Sequence, residues 1–195
     1  MQPTKRIVQI LAAVAVGGLS LSAPAQIGTG WTSTTVGFKI QTEGSGKVSG
    51  NTFSLGSSTS GKQRAERRYD AISSGQRQFQ GDVKVASLGG DRICLKQTFQ
   101  QNSGPWNMIA VKKSGSLYEV EGGATLAAYT VGSTARINTL LNASKGTVQV
   151  YINGSLKETK TGGKVPIYDK CGTYATSSGK GPVTATWNNV TFWKK

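Results

Sequence analysis

The sequence predicts an all-β fold, a β-sandwich of the jelly-roll kind. Helical periodicity is almost absent beyond residue 25, short alternating runs of apolar and polar residues recur to the C-terminus, and Gly, Ser and Asn punctuate them. Nine segments satisfy the strand pattern: TVGFKIQT, RQFQGDVKVA, DRICLKQTF, MIAVKK, SLYEVE, ARINTLL, GTVQVYINGSLKETK, YDKCGTY and VTATWNNVTFW. Strands in that number at this spacing suit two packed antiparallel sheets.

Taken in chain order, the first residues read as a targeting segment. Lys5 and Arg6 precede an apolar run from Ile7 to Leu21, and Ala23-Pro24-Ala25 supplies the small residues of a cleavage site. The run is short for a bilayer and is interrupted by Gly17 and Gly18. The expectation is therefore a signal peptide over residues 1–25, a single domain over 26–195, and a secreted protein. The stretch TEGSGKVSGNTFSLGSSTSGKQ shows little alternation and reads as long loops with no more than a single strand. In TVQVYINGSLKE, Asn153-Gly154 supplies the two positive-φ residues of a tight hairpin turn. Trp187 and Trp193 share parity in the last strand and are both expected between the sheets, while Arg136 and Asn138 read as structural polar residues.

The formal charge is +14, from 23 Lys and Arg against 9 Asp and Glu, and loss of Lys5 and Arg6 with the leader lowers it to +12. An anionic partner is expected. Export, and the lack of an aromatic-basic binding motif, favour an extracellular polyanion over nucleic acid. The chain has no histidine, which excludes a Ser-His-Asp triad, a Cys-His nucleophile and any His-containing zinc site. In an exported chain, Cys94 and Cys171 are expected to form one disulfide rather than remain as thiols.

Three strand motifs, RAERR at 64–68, KQTF at 96–99 and YDKCGTY at 168–174, resemble in order and spacing those of the alginate-lyase-like jelly rolls of polysaccharide lyase family 7. There they read R-T/S-E-L/V-R, Q-I/V-H and Y-F-K-A-G-x-Y. SSGQRQFQG, RINTLLNASKGTVQVYINGSLK and the closing WNNVTFWKK resemble a side branch of the same superfamily, the citrate-binding-protein-like secreted proteins. Cys94 and Cys171 fall where that branch carries its own pair. The resemblance implies a concanavalin A-like, alginate-lyase-like jelly roll whose concave sheet forms a groove for an acidic polysaccharide.

The chemistry implied is β-elimination on a uronic-acid polymer such as glucuronan or alginate. It requires neutralisation of the C5 carboxylate, a base for the C5 proton and an acid for the leaving O4; Arg and Gln suit the first task and Tyr the others. Alternation puts Tyr168, Lys170 and Tyr174 on one face of their strand and Asp169 and Cys171 on the other. By the resemblance, Tyr174 is the catalytic tyrosine, Arg64 the carboxylate-binding arginine and Gln97 its partner. Lys170, Arg68, Tyr168 and Phe99 are assigned to substrate binding. A tyrosinate at neutral pH would need neighbouring cations, which Arg64, Arg68 and Lys170 can supply. No cofactor, metal, nucleic acid or membrane partner is expected, and the chain is expected to act as a monomer.

Two departures from the family pattern matter. Phe99 stands where the family has its catalytic histidine, so either Tyr174 serves as both base and acid, or elimination is lost and the groove only binds an acidic glycan or polycarboxylate. Arg67, Lys96 and Asp169 occupy positions that should point between the sheets. They are expected either to form one ionic cluster across three strands or to reach water at the sheet margin.

Overall fold

The computed structural model describes residues 27–57, 61–175 and 181–195, so the leader expected over 1–25 lies outside the described residues. These hold fifteen strands in two sheets and no helix. One sheet runs β13 (Ser155–Thr161), β12 (Thr147–Ile152), β11 (Thr134–Asn142), β6 (Gln76–Leu88), β15 (Val183–Lys194), β4 (Thr52–Leu55) and β3 (Lys47–Ser49), with β1 (Thr32–Thr34) also paired to β15. The other runs β10 (Thr125–Ala128), β9 (Ser116–Glu119), β8 (Gly104–Lys112), β7 (Arg92–Gln100), β14 (Ile167–Ala175), β5 (Gln63–Tyr69) and β2 (Phe38–Glu43). Every pairing is antiparallel, as an alternating pattern with one buried face requires.

Alternation puts Phe79, Val83 and Val85 of β6 between the sheets with Phe53 of β4 and Trp187 of β15. Phe79 packs edge-on to Trp187 at 5.8 Å and to Phe192 at 5.4 Å. Each such buried ring contributes about 1.5–3 kcal/mol over an exposed one. The β12–β13 hairpin turns at Asn153 and Gly154, whose φ angles of 50° and 82° are those of the primed turn read from the sequence.

All nine expected strand segments are strands, joined by the RAERR segment as β5. The 42–63 stretch holds two short strands, β3 and β4, where one at most was expected. Strand β10 was missed as well, because four residues at a sheet edge carry almost no periodic signal. Trp193 departs from its expected place. A bulge between Asn188 and Thr191, with Asn189 at φ 53°, inserts one residue. Parity reverses beyond it: Phe192 opposes Phe79 in the core, and Trp193 opposes Gln78 on the outer face.

A second bulge corrects the expected disulfide. On β7, Cys94 opposes Ala110 but Lys96 opposes Ile109, so Leu95 is an extra residue. Strict alternation would have sent Cys94 inward with Lys96. Instead Cys94 packs with Met108, Ala110 and Tyr118 on the concave face, while Cys171 lies in the core against the Tyr69 hydroxyl at 3.5 Å. The two thiols are buried, free and on opposite faces of the sheet.

The ionic cluster expected between the sheets is present with one member exchanged. Lys96 Nζ donates to Asp169 Oδ1 at 2.6 Å, and Arg77 of β6, not Arg67, donates to Asp169 Oδ2 at 3.0 Å. Arg67 opposes Cys171, two residues along from Asp169. Its guanidinium donates to Gly50 O and Asn51 Oδ1 and stacks on Phe38. The second cation comes from the facing sheet, and no pattern within the β14 neighbourhood encodes which residue of that sheet lies overhead.

Candidate functional site

The concave face of the second sheet carries a cavity of about 510 Å³. Strand β14 crosses it centrally between β5 and β7, which brings the three motifs into one register: Lys170 opposes Arg68 on one side and Gln97 on the other, and Tyr174 opposes Arg64 and Cys94. Gly172 makes this approach possible. A Cβ there would lie 2.2 Å from Ala65 O, and its φ of 145° is one that L side chains rarely adopt. Glycine at this point of YDKCGTY lets β14 close on β5.

Arg64, Gln97, Phe99, Lys170 and Tyr174 line the cavity together. Arg68 and Tyr168 stand beside it: Tyr168 stacks on Phe99 at 5.2 Å and 21°, and the Arg68 guanidinium lies 4.1 Å from the Tyr168 ring centre. These two therefore buttress Phe99 instead of facing the cavity. Phe99 offers a ring face at 4.8 Å to Lys170 Nζ. The sequence pattern does not mark the far wall, Met108, Ala110, Tyr118 and Val120, with Arg92, Glu121 and Lys62 at its margins. The apolar residues of SLYEV and MIAVKK look like any strand core in one dimension, and only the pairing of β8 and β9 beside β7 brings one of their faces to the cavity.

Behind the cavity floor, Glu66 of β5 is 2 % exposed and accepts a 2.6 Å bond from Gln97 Nε2. Lys170 Nζ stands 3.7 Å from Glu66 Oε2, an ion-pair distance too long for a hydrogen bond, and that oxygen has no hydrogen-bond partner. Burial raises the Glu66 carboxyl above its ordinary value despite Lys170 and Arg64, and burial lowers the Lys170 ammonium despite Glu66. Arg64 binds Glu43 Oε2 at 2.8 Å through Nη2 and leaves Nε without a partner. Arg64 and Lys170 thus present positive charge to the cavity, and behind them one buried Glu66 oxygen is left without a donor. For Tyr174, burial is the larger influence and raises the phenol, while Arg64, 5.9 Å from the ring centre, only moderates it. Tyr174 therefore rests as a phenol, and the cations near it do not make it a tyrosinate at neutral pH.

No protein-family model matches the chain, and no curated protein does. Solved structures do match. An alginate lyase of polysaccharide lyase family 7 superposes with a TM-score of 0.60 at 21% identity, covering 75% of this chain and 79% of that one. The chain has the alginate-lyase-like jelly-roll fold. An alginate lyase from Alteromonas sp. 272 gives 0.61 at 17% identity over 81% of this chain and 94% of that one. A sialidase also gives 0.61, at 13% identity over 80% of this chain and only 16% of that one, so this sandwich occurs as one part of larger proteins with other names. At these identities the likeness describes the scaffold, and the chemistry has to be argued from the side chains.

Proposed function

We propose that this is a secreted polysaccharide lyase that cleaves an acidic, uronic-acid-containing polysaccharide by β-elimination. The observation that carries the reading is the convergence of Arg64, Gln97, Lys170 and Tyr174 on one cavity. Arg64 and Gln97 bind the C5 carboxylate and delocalise the charge that develops as the C5–H bond breaks. Tyr174 takes the C5 proton and returns it to O4 as the C4–O4 bond breaks, leaving a C4–C5 double bond on one fragment and a hydroxyl on the other. A single residue suffices when the proton and O4 leave from the same side. Because Tyr174 rests as a phenol, the base form accumulates as pH rises, and the rate is expected to climb on the alkaline side.

A second reading rests on Phe99. With no histidine in the chain, the groove can retain ligand binding without turnover, holding an acidic glycan or a polycarboxylate. Purified protein incubated with a panel of uronans separates the two by the ultraviolet absorbance of the unsaturated product. A rise that Tyr174→Phe abolishes supports elimination through Tyr174. Binding without any rise establishes the second reading, and activity that survives Tyr174→Phe overturns the mechanism while keeping the class.

A further inference from the structure

One row of residues crosses the concave sheet through the proposed reacting centre. Arg64 of β5 opposes Tyr174 of β14, Tyr174 opposes Cys94 of β7, Cys94 opposes Ala110 of β8, and Ala110 opposes Tyr118 of β9. Two residues along each strand the facing is the same, and there the sheet carries cations. Arg92 precedes Cys94 by two, and Lys112 follows Ala110 by two and stands directly opposite Arg92. Lys113 continues this second row into the β8–β9 turn, and Arg92 lines the main cavity.

A further cavity of about 500 Å³ opens on the second row, lined by Asp91, Arg92, Lys112, Lys113 and Ser114. Arg92 lines both cavities, so the two adjoin. Three cations here face one acid. Asp91 stands 3.8 Å from Arg92 Nε, near the outer limit for an ion pair, and both side chains are exposed. Arg92 also hydrogen-bonds Tyr118, and Lys112 Nζ lies 4.3 Å from the Tyr118 ring centre. Neither Lys112 nor Lys113 forms an ion pair among the described residues. Lys113 N donates to Asp91 O at 2.7 Å, which ties the two turns that carry the cluster. Glu121, the acid on the main cavity, follows the opposite end of β9.

Like charges directly opposite each other on paired strands destabilise a sheet, so Arg92 and Lys112 contribute nothing to the fold as a pair, and an anion set between them relieves their repulsion. From Arg64 to Arg92 is two strand spacings across and two residues along, roughly 12 Å between backbones. One carboxylate cannot reach both. A polymer with acidic groups on more than one sugar can, by crossing the strands from Arg64 and Tyr174 toward β8.

Resting on the proposed uronate site, we infer that Arg92, Lys112 and Lys113 form a second anion-binding subsite, which engages a carboxylate or sulfate carried by another sugar of the same polymer. The first site holds the acid that reacts, and the second selects chains that carry a further charge beyond it.

The test is titration calorimetry at fixed salt on the Tyr174→Phe protein, which keeps the ligand intact, with three tetrasaccharides. The first is acidic at every sugar, the second has a single glucuronate among neutral sugars, and the third adds a sulfate ester to the second. A ligand with the further anion is expected to bind at least about tenfold more tightly than the singly charged one, which corresponds to about 1.4 kcal/mol. Whether the first or the third shows this gain identifies the anion as carboxylate or sulfate. Lys112→Gln combined with Lys113→Gln is expected to remove most of the gain while changing the affinity of the singly charged ligand by less than about twofold. Lys145→Gln combined with Lys157→Gln removes the same charge from exposed positions on the other sheet and is expected to leave the gain intact. No gain from a further anion, a gain unmoved by the Lys112 and Lys113 changes, or an equal loss from both pairs of substitutions overturns this inference and leaves the uronate site standing. If none of the ligands binds while the protein remains folded, the uronate site itself is wrong and the inference falls with it.

Discussion

Strand β14 carries a buried charge cluster on each of its faces, and the two are built to opposite standards. Between the sheets, Asp169 is fully engaged: Lys96 Nζ reaches it and also Gln97 O and Thr98 Oγ1, and Arg77 binds its other oxygen. Burial alone would raise the Asp169 carboxyl, but Lys96 and Arg77 outweigh it and hold it below its ordinary value. One residue along, on the concave face, Lys170 and Glu66 are held at 3.7 Å with an oxygen left over, and burial shifts both away from their charged forms. Both Asp169 oxygens are bound, which ties three strands together, whereas Glu66 keeps one oxygen without a donor behind the cavity. The difference distinguishes structural charge from functional charge on a single strand.

The sharpest way to break that contrast is to remove its structural half. Asp169→Ala leaves Lys96 and Arg77 buried without a counter-charge and is expected to cost about 3–5 kcal/mol in urea unfolding, whereas Glu66→Gln on the concave face should cost under about 1.5 kcal/mol. Comparable losses would mean that both clusters are structural. Next in size is Tyr174→Phe, expected to lower the elimination rate by about 100-fold or more while leaving the unfolding midpoint near that of the parent protein. A loss of stability as large as that of Asp169→Ala would recast Tyr174 as packing.

The two faces also predict opposite responses to pH. Asp169, with its folded-state value depressed, stabilises the fold at neutral pH, and this contribution is lost as pH falls through and below the ordinary aspartate range. Glu66, with its value raised, contributes most at low pH and loses that contribution as pH rises through its elevated value. Thermal melts across pH should therefore show wild type losing its advantage over Asp169→Asn in acid. Glu66→Gln should instead gain on wild type as pH rises above about 4.3. The same sign for both variants would contradict the assignment. The smallest effect expected is that of reductant: with both thiols free, the melting temperature should move by under about 1 °C, far less than loss of a disulfide across so long a loop would produce.

Much of this was legible in one dimension. The alternation in YDKCGTY assigned Tyr168, Lys170 and Tyr174 to one face and Asp169 and Cys171 to the other, and the fold keeps every one of those assignments. Of the two placements the sequence left open for its inward charges, cluster or margin, the fold adopts the cluster for Lys96 and Asp169. The apolar wall of the cavity was not legible, because Met108, Ala110 and Tyr118 carry an ordinary strand pattern and acquire their role only from the pairing of β8 and β9 beside β7.

The sequence by itself determined the fold class, the hairpin at Asn153-Gly154, the order of the three motifs and the facing of most side chains, because a strand's period of two is a local property of the backbone. Tertiary structure alone decided where that period breaks and what lies opposite. The extra residue at Leu95 turned Cys94 away from Cys171, the bulge at Asn189 turned Trp193 out of the core, and the register of β6 over β14 gave Asp169 to Arg77 in place of Arg67. Each depends on packing between strands distant in the chain, where one inserted residue inverts every facing beyond it.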